Sequence, residues 1–274
     1  MRRIPTRYAV IAFVAVLAVL GGTLGVTYFG SSPSAKDRIE AAPPPALFPQ
    51  AAIVATERSV VGQSPRAHEL IATWFDAHGR NRDDKAFATW LEQQVPPPPA
   101  KSARAAELTA VDQVSRTRDK AGVTAATWLE AYGKKDLWKL YAHDQAELLP
   151  AAEGTVRKDD VKAMLKLSKT VADALGTRYQ QSAPYVLNPS LRPDHTVTKG
   201  QVCPCSYPSR HAAAGAAATT YLAGLDPERR SQYEWTEAQI DWSRVYMAGH
   251  VPSDLTAGAL LGDLIGEYYL GTRA

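Results

Sequence analysis

The chain has 274 residues, 45% of them hydrophobic, which suffices for one large domain or two small ones with a substantial core. Three of its 31 basic residues, Arg2, Arg3 and Arg7, stand in the first thirty positions, where no acid occurs, so the formal charge of +3 leaves 28 basic against 28 acidic side chains beyond residue 30. That neutrality argues against a nucleic-acid partner, and the presence of a single apolar run long enough to span a bilayer excludes a polytopic membrane protein.

That run is Tyr8 to Phe29, uncharged and edged by aromatic residues. Positive charge ahead of a first apolar segment holds its start in the cytoplasm, so everything after Gly30 is expected outside the membrane. A signal peptide has an apolar region of about 7–15 residues. The longer run here favours an uncleaved anchor, with secretion as the outcome if it is cut near Ser31 to Ala35. Residues 31–65 carry Pro33, Pro43, Pro44, Pro45, Pro49 and Pro65 among serine and alanine, a composition expected to form an extended tether.

Helical periodicity begins at Arg66. Leu70, Ile71, Trp74 and Phe75 share one face, and Phe87, Trp90 and Leu91 repeat the pattern before Pro96 to Pro99 break it. Three Ala-Thr-Trp tripeptides, around Trp74, Trp90 and Trp128, are unequally spaced and read as core anchors rather than repeats. Val161, Met164, Leu165, Ser168, Ala172 and Leu175 mark an amphipathic helix, followed by an irregular stretch from Gln181 to Tyr207. Within it Cys203 and Cys205 flank Pro204. A thiol pair or local disulfide fits better than zinc, which needs about four ligands where only His195 and His211 lie near. A helix is expected from Ser209 through the alanine-rich run to Leu222, and another from Thr256 to Leu270. In the latter, Gly258, Gly262 and Gly266 form a stripe that admits a close neighbour, while Asp263 and Glu267 argue against a second span. Strand-like alternation is scarce, so the predicted fold class is all-α.

Two segments carry chemistry. From Ser243 to Asp254, Arg244 offers a planar fork for phosphate oxygens, His250 a nucleophile or base, and Asp254 a carboxylate one helical turn further on. In Pro208-Ser209-Arg210-His211, at a predicted helix start, free backbone N–H groups attract an anion, Ser209 can donate to it, and His211 can protonate a leaving oxygen. The plainer readings are a helix N-cap for Ser209, a surface residue for His211, and a structural hydrogen-bonded pair for His250 and Asp254.

Together, Pro-Ser-x-His followed by Ser-Arg-x5-His-x3-Asp resembles the type 2 phosphatidic acid phosphatase superfamily, which includes bacterial class A acid phosphatases and vanadium haloperoxidases. The usual signature opens with Lys-x6-Arg-Pro, and here Gly176 and Ala183 stand in place of those two cations. Arg210 stands where the second motif usually has glycine. Arg178, Arg192 and Arg210 are the candidates to restore phosphate-binding charge, although Arg178 and Arg192 read equally as solvated loop charges. The resemblance covers about residues 155–270, and the N-terminal third shows no motif.

The resemblance implies a helical bundle of the acid phosphatase/haloperoxidase type over residues 66–274, holding an extracytoplasmic phosphomonoesterase. His250 would attack phosphorus, Asp254 would orient it, His211 would protonate the leaving group, and Arg244 and Ser209 would hold the equatorial oxygens. No metal or cofactor is implied, and vanadate would inhibit. In an alternative reading vanadate is instead the cofactor of a haloperoxidase, and a third reading is a non-catalytic envelope protein retaining the fold. The expected substrate is a phosphorylated small molecule or a lipid phosphate, with the membrane contacted through the N-terminal helix.

Overall fold

A computed structural model describes residues 33–148, 157–192 and 205–273. The expected anchor at Tyr8 to Phe29 lies outside them, and no helix among the described residues is long and apolar enough to cross a membrane. The fold is all-α. In chain order the helices are α1 (Ala35–Ala41), α2 (Gln50–Val61), α3 (Ser64–His78), α4 (Asp84–Gln94), α5 (Lys101–Arg116), α6 (Lys120–Tyr132), α7 (Asp136–Leu148), α8 (Lys158–Tyr179), the single turn α9 (Pro184–Leu187), α10 (Arg210–Leu225), α11 (Arg230–Tyr246) and α12 (Pro252–Gly271).

The alanine-rich α10 is the axis of the bundle. Its small side chains let neighbours approach on every side, and it packs against α8, α11 and, most extensively, α12. The glycine stripe explains that last contact: a Cβ at Gly258 would fall under 3.0 Å from the Ser209 carbonyl, and one at Gly262 equally close to that of Ala213. Leu260, Leu261, Leu264 and Ile265 of α12 are buried in the core, each worth about 1.5–3 kcal/mol relative to exposure. Ser209 caps α10 by accepting from the Ala212 N–H (3.3 Å), and Pro252 occupies the first turn of α12, as the sequence leads one to expect.

The stretch 31–65 differs from the expected tether. It carries α1, α2 and the start of α3, and Ile39, Phe48, Ile53 and Val60 are buried. The prolines stand at element boundaries, Pro49 at the N-cap of α2 and Pro65 in the first turn of α3, where they initiate helices rather than forbid them. The extended link between α1 and α2 is strapped to the bundle by buried polar contacts. The Gln239 amide accepts from the Phe48 N–H (3.0 Å) and donates to the Phe48 carbonyl (2.8 Å), and the Trp128 indole donates to Ala42 (2.7 Å). Residues before 66 therefore pack into the bundle.

Candidate active site

The N-termini of α10 and α12 abut, with the Ser209 N–H donating to the Asp254 carbonyl (2.8 Å), and the C-terminal turn of α11 closes against them. The α12-start N–H groups of Ser253 and Asp254 have protein acceptors, so the positive dipole end of α10 is the one that faces the site. His250, in the short link between α11 and α12, reaches that spot from one side and His211, in the first turn of α10, from another.

The His250 ring is fixed at its far nitrogen. Nδ1 donates to the Ser206 carbonyl (2.8 Å) and stands 3.6 Å from Asp254 Oδ2, too long for a hydrogen bond. A carbonyl can only accept, so the neutral ring carries its proton on Nδ1 and leaves a lone pair on Nε2, which lies 3.5 Å from Ser209 Oγ. Asp254 is buried, which alone would raise its pKa, but the neighbouring His250 and Arg104 outweigh burial and hold the carboxyl below its ordinary value. Its Oδ2 also accepts from the Val251 N–H (3.0 Å).

His211 presents an Nε2 that is covered by protein and without a hydrogen-bond partner, while the ring hydrogen-bonds the Glu130 backbone. A buried, unpaired ring nitrogen in a cationic setting is suited to exchanging a proton with an anionic oxygen. Burial, then the charges of Arg244, His250 and Lys134, push this imidazole well below the ordinary histidine value and favour its neutral form.

Arg244 is buried with its guanidinium donating to the Ala126 carbonyl (3.1 Å) and Ser243 Oγ (3.1 Å), and it pairs with Glu130 at 3.3 Å. Arg192 donates to the same Glu130 Oε2 at 2.8 Å. Its backbone is held there by Arg118, which donates to the carbonyls of both Leu191 and Tyr246. Glu130 is partly buried, which would raise its carboxyl, but the two arginines prevail and hold it below the ordinary range. Lys134 joins this cluster, its ammonium depressed by burial and by the neighbouring cations, Arg210 and Arg244 among them.

Of the three arginines proposed to restore the missing charge, the structure brings Arg192 alone to Arg244. Arg178 pairs with Glu92 at 2.5 Å and also donates to the Glu92 carbonyl. The half-exposed Arg210 turns outward to Asp173 on α8. The physical reason lies in where these positions sit: Arg178 is on the last turn of α8, and the α10 start points residue 210 away from the histidines so that residues 209 and 211 can face inward. At Gly176 a Cβ would meet that of Cys205 at 3.3 Å, so the loop bearing Ser206 occupies the space into which a lysine there would extend. Cys205 itself is disulfide-bonded; Cys203 lies outside the described residues, as does His195.

Sequence reasoning did not reach Ser206, Arg104, Glu130 and Lys134. Ser206 acts through its carbonyl, which leaves no trace in residue type. The other three come from the N-terminal region, Arg104 and Glu130 on helices whose only visible signal is amphipathic periodicity and Lys134 in the turn between α6 and α7.

No curated protein matches the chain significantly. Residues 162–270 match the family model described as the PAP2 superfamily. With the Pro-Ser-x-His and Ser-Arg-x5-His-x3-Asp motifs both inside that match, and their side chains gathered at one end of an all-helical bundle, this region of the chain belongs to the type 2 phosphatidic acid phosphatase superfamily.

Proposed function

We propose that the protein is a phosphomonoesterase working through a phosphohistidine at His250. Members of the superfamily are generally phosphoesterases acting on phosphorylated substrates. The observation that carries the finer reading is a pair of histidines within electrostatic reach of each other, His250 with a lone pair on Nε2 and His211 with an unpartnered Nε2, in a setting that includes Arg244.

His250 Nε2 attacks phosphorus in line with the ester oxygen. The P–O bond breaks as the N–P bond forms, and the leaving alkoxide takes a proton from His211. Arg244, Arg192, Lys134, Ser209 and the α10 N-terminus meet the charge on the equatorial oxygens. Water then attacks the phosphohistidine, His211 accepts its proton, and phosphate leaves from a regenerated His250. His211 is held neutral by its surroundings, so the acid proton arrives with the substrate: a phosphate monoanion supplies it, or the bound anion offsets Arg244 and Lys134 and raises the imidazole. Turnover is therefore expected to fall as pH rises past the second phosphate ionisation, at about 6.

The arginines before Tyr8 favour catalysis outside the cytoplasmic membrane, and the disulfide at Cys205 suits an oxidising compartment. The test is hydrolysis of p-nitrophenyl phosphate and of phosphatidate micelles by the full-length protein in detergent, beside His250→Ala. Turnover of either substrate, reduced by on the order of 10³-fold or more in the variant and inhibited by orthovanadate, supports the reading, and the preferred substrate separates a soluble from a lipid phosphate. Absence of turnover on both would favour a non-catalytic member of the family.

A further inference from the structure

Outside the family match, helix α5 reaches into the site with a buried arginine. Arg104 is 6% exposed, an unfavourable place for a guanidinium unless each of its donors is used. Nη1 donates to Asp254 Oδ1 at 2.8 Å, and Nη2 donates to Ser206 Oγ at 2.9 Å and to the Ser182 carbonyl at 3.3 Å. Asp254 and Ser206 are the two groups that flank His250 Nδ1. One turn further along α5, Glu107 accepts from the Ser253 N–H (2.8 Å) and hydroxyl (2.7 Å). Two residues on one face of α5 therefore clamp consecutive residues at the start of α12.

We propose that Arg104 is a positioning residue for the His250 nucleophile: it ties Asp254 and the Ser206 loop together and balances the Asp254 charge so that Nε2 is held aimed. This rests on the phosphohistidine reading. With Arg104 removed, Asp254 would confront His250 as an unbalanced anion, which favours the imidazolium and quenches the lone pair. The Ser206 carbonyl would lose its tether to Asp254, and the Nδ1–H tautomer its fixed acceptor. The other charges facing the imidazole, His211 from α10 and Arg244 from α11 with Glu130, Arg192 and Lys134 behind them, are untouched by the substitution, so a shift is attributable to Arg104.

The test compares full-length wild type, Arg104→Met and Arg104→Lys by pH profiles with p-nitrophenyl phosphate, with the His250 ring followed by nitrogen NMR. The expected result for Arg104→Met is a kcat reduced about 10–100-fold with KM little changed. The acid limb of kcat/KM should rise by about one pH unit, and the Nδ1–H tautomer should lose its dominance. Arg104→Lys keeps the charge beside Asp254 but cannot span to Ser206, so it should restore the acid limb while kcat stays low. If Arg104→Met fails to fold, the lysine variant decides alone: reduced kcat with an unmoved acid limb supports the proposal. Unchanged kcat in a folded variant, or a tautomer and acid limb identical to wild type in Arg104→Met, would overturn it. Should the wild type show no turnover, the phosphatase reading falls, and the tautomer and titration of His250 still decide the role of Arg104.

Discussion

The two ends of the chain serve one site in different ways. The C-terminal region, α8 to α12, carries the groups proposed to react, on helices punctuated by short local signals: an N-cap serine, a proline in a first turn, glycines every fourth residue. The N-terminal region, α1 to α7, carries no motif yet supplies Arg104, Glu107, Glu130, Lys134 and the Ala126 carbonyl, the groups that hold those reacting side chains in place. Chemistry constrains the first set to fixed residue types at fixed spacing. Support needs only a charge or a carbonyl at the right point in space, which many sequences provide.

The largest effect is expected where the motif-bearing helices meet. Gly258→Ala puts a methyl against the Ser209 carbonyl and Gly266→Ala puts one against Thr220 and the Ala217 carbonyl, at the opposite end of the same helix pair. Each should cost about 1–3 kcal/mol, a fall of roughly 2–4 °C in melting temperature per kcal/mol. The pair separates stability from function: Gly258→Ala displaces the anion cradle at Ser209 and should lose turnover as well, whereas Gly266→Ala should keep it. Equal activity in both would mean that the α10 start does not depend on the helix contact beneath it.

Glu130→Gln probes the N-terminal contribution. The carboxylate lies between Arg192 and Arg244, where it competes with any anionic ligand for both guanidiniums. Its removal should tighten competitive inhibition by inorganic phosphate about tenfold, or ~1.4 kcal/mol. Weaker inhibition would mean that Glu130 is needed to aim the arginines, making it part of the cradle rather than its occupant.

The fold class, the helices α3, α4, α8, α10 and α12 and the two histidines were legible because each is encoded locally, by period, cap or motif. Residues 31–65 were misread because proline density was weighed without asking what lay between: Ile39, Phe48 and Ile53 are spaced to be buried, and Gln239, two hundred residues on, satisfies the backbone of Phe48. The cation that accompanies Arg244 was recoverable only as one of three candidates. Arg178, Arg192 and Arg210 are alike in sequence, and what separates them is the Arg118 contacts that deliver Arg192 and the Glu92 and Asp173 carboxylates that claim the others. Such long-range pairings leave no local signature.

The seam between the regions offers the smallest and most specific test. Asp263 of α12 is buried, accepting from Thr220 Oγ1 (2.6 Å) and from Ser64 Oγ of α3 (3.1 Å). Burial pushes its carboxyl up to about 7, the two hydroxyls offset this only in part, and Glu267 and Glu234 push the same way. A carboxyl whose folded pKa is raised binds its proton more tightly in the native state. Its contribution to stability is thus fully present below the unfolded value, near 3.8, and is lost as pH rises toward about 7. Asp263→Asn abolishes that loss while keeping an acceptor for one hydroxyl. In urea unfolding, the variant should gain on wild type progressively from about pH 4 to about pH 7 and level off above it, by on the order of 1 kcal/mol or more, while the sacrificed hydrogen bond lowers its stability equally at every pH. Parallel stability curves across that range would mean that Asp263 is ionised in the folded protein. The α3–α12 seam would then hold a full negative charge sustained by two hydroxyls.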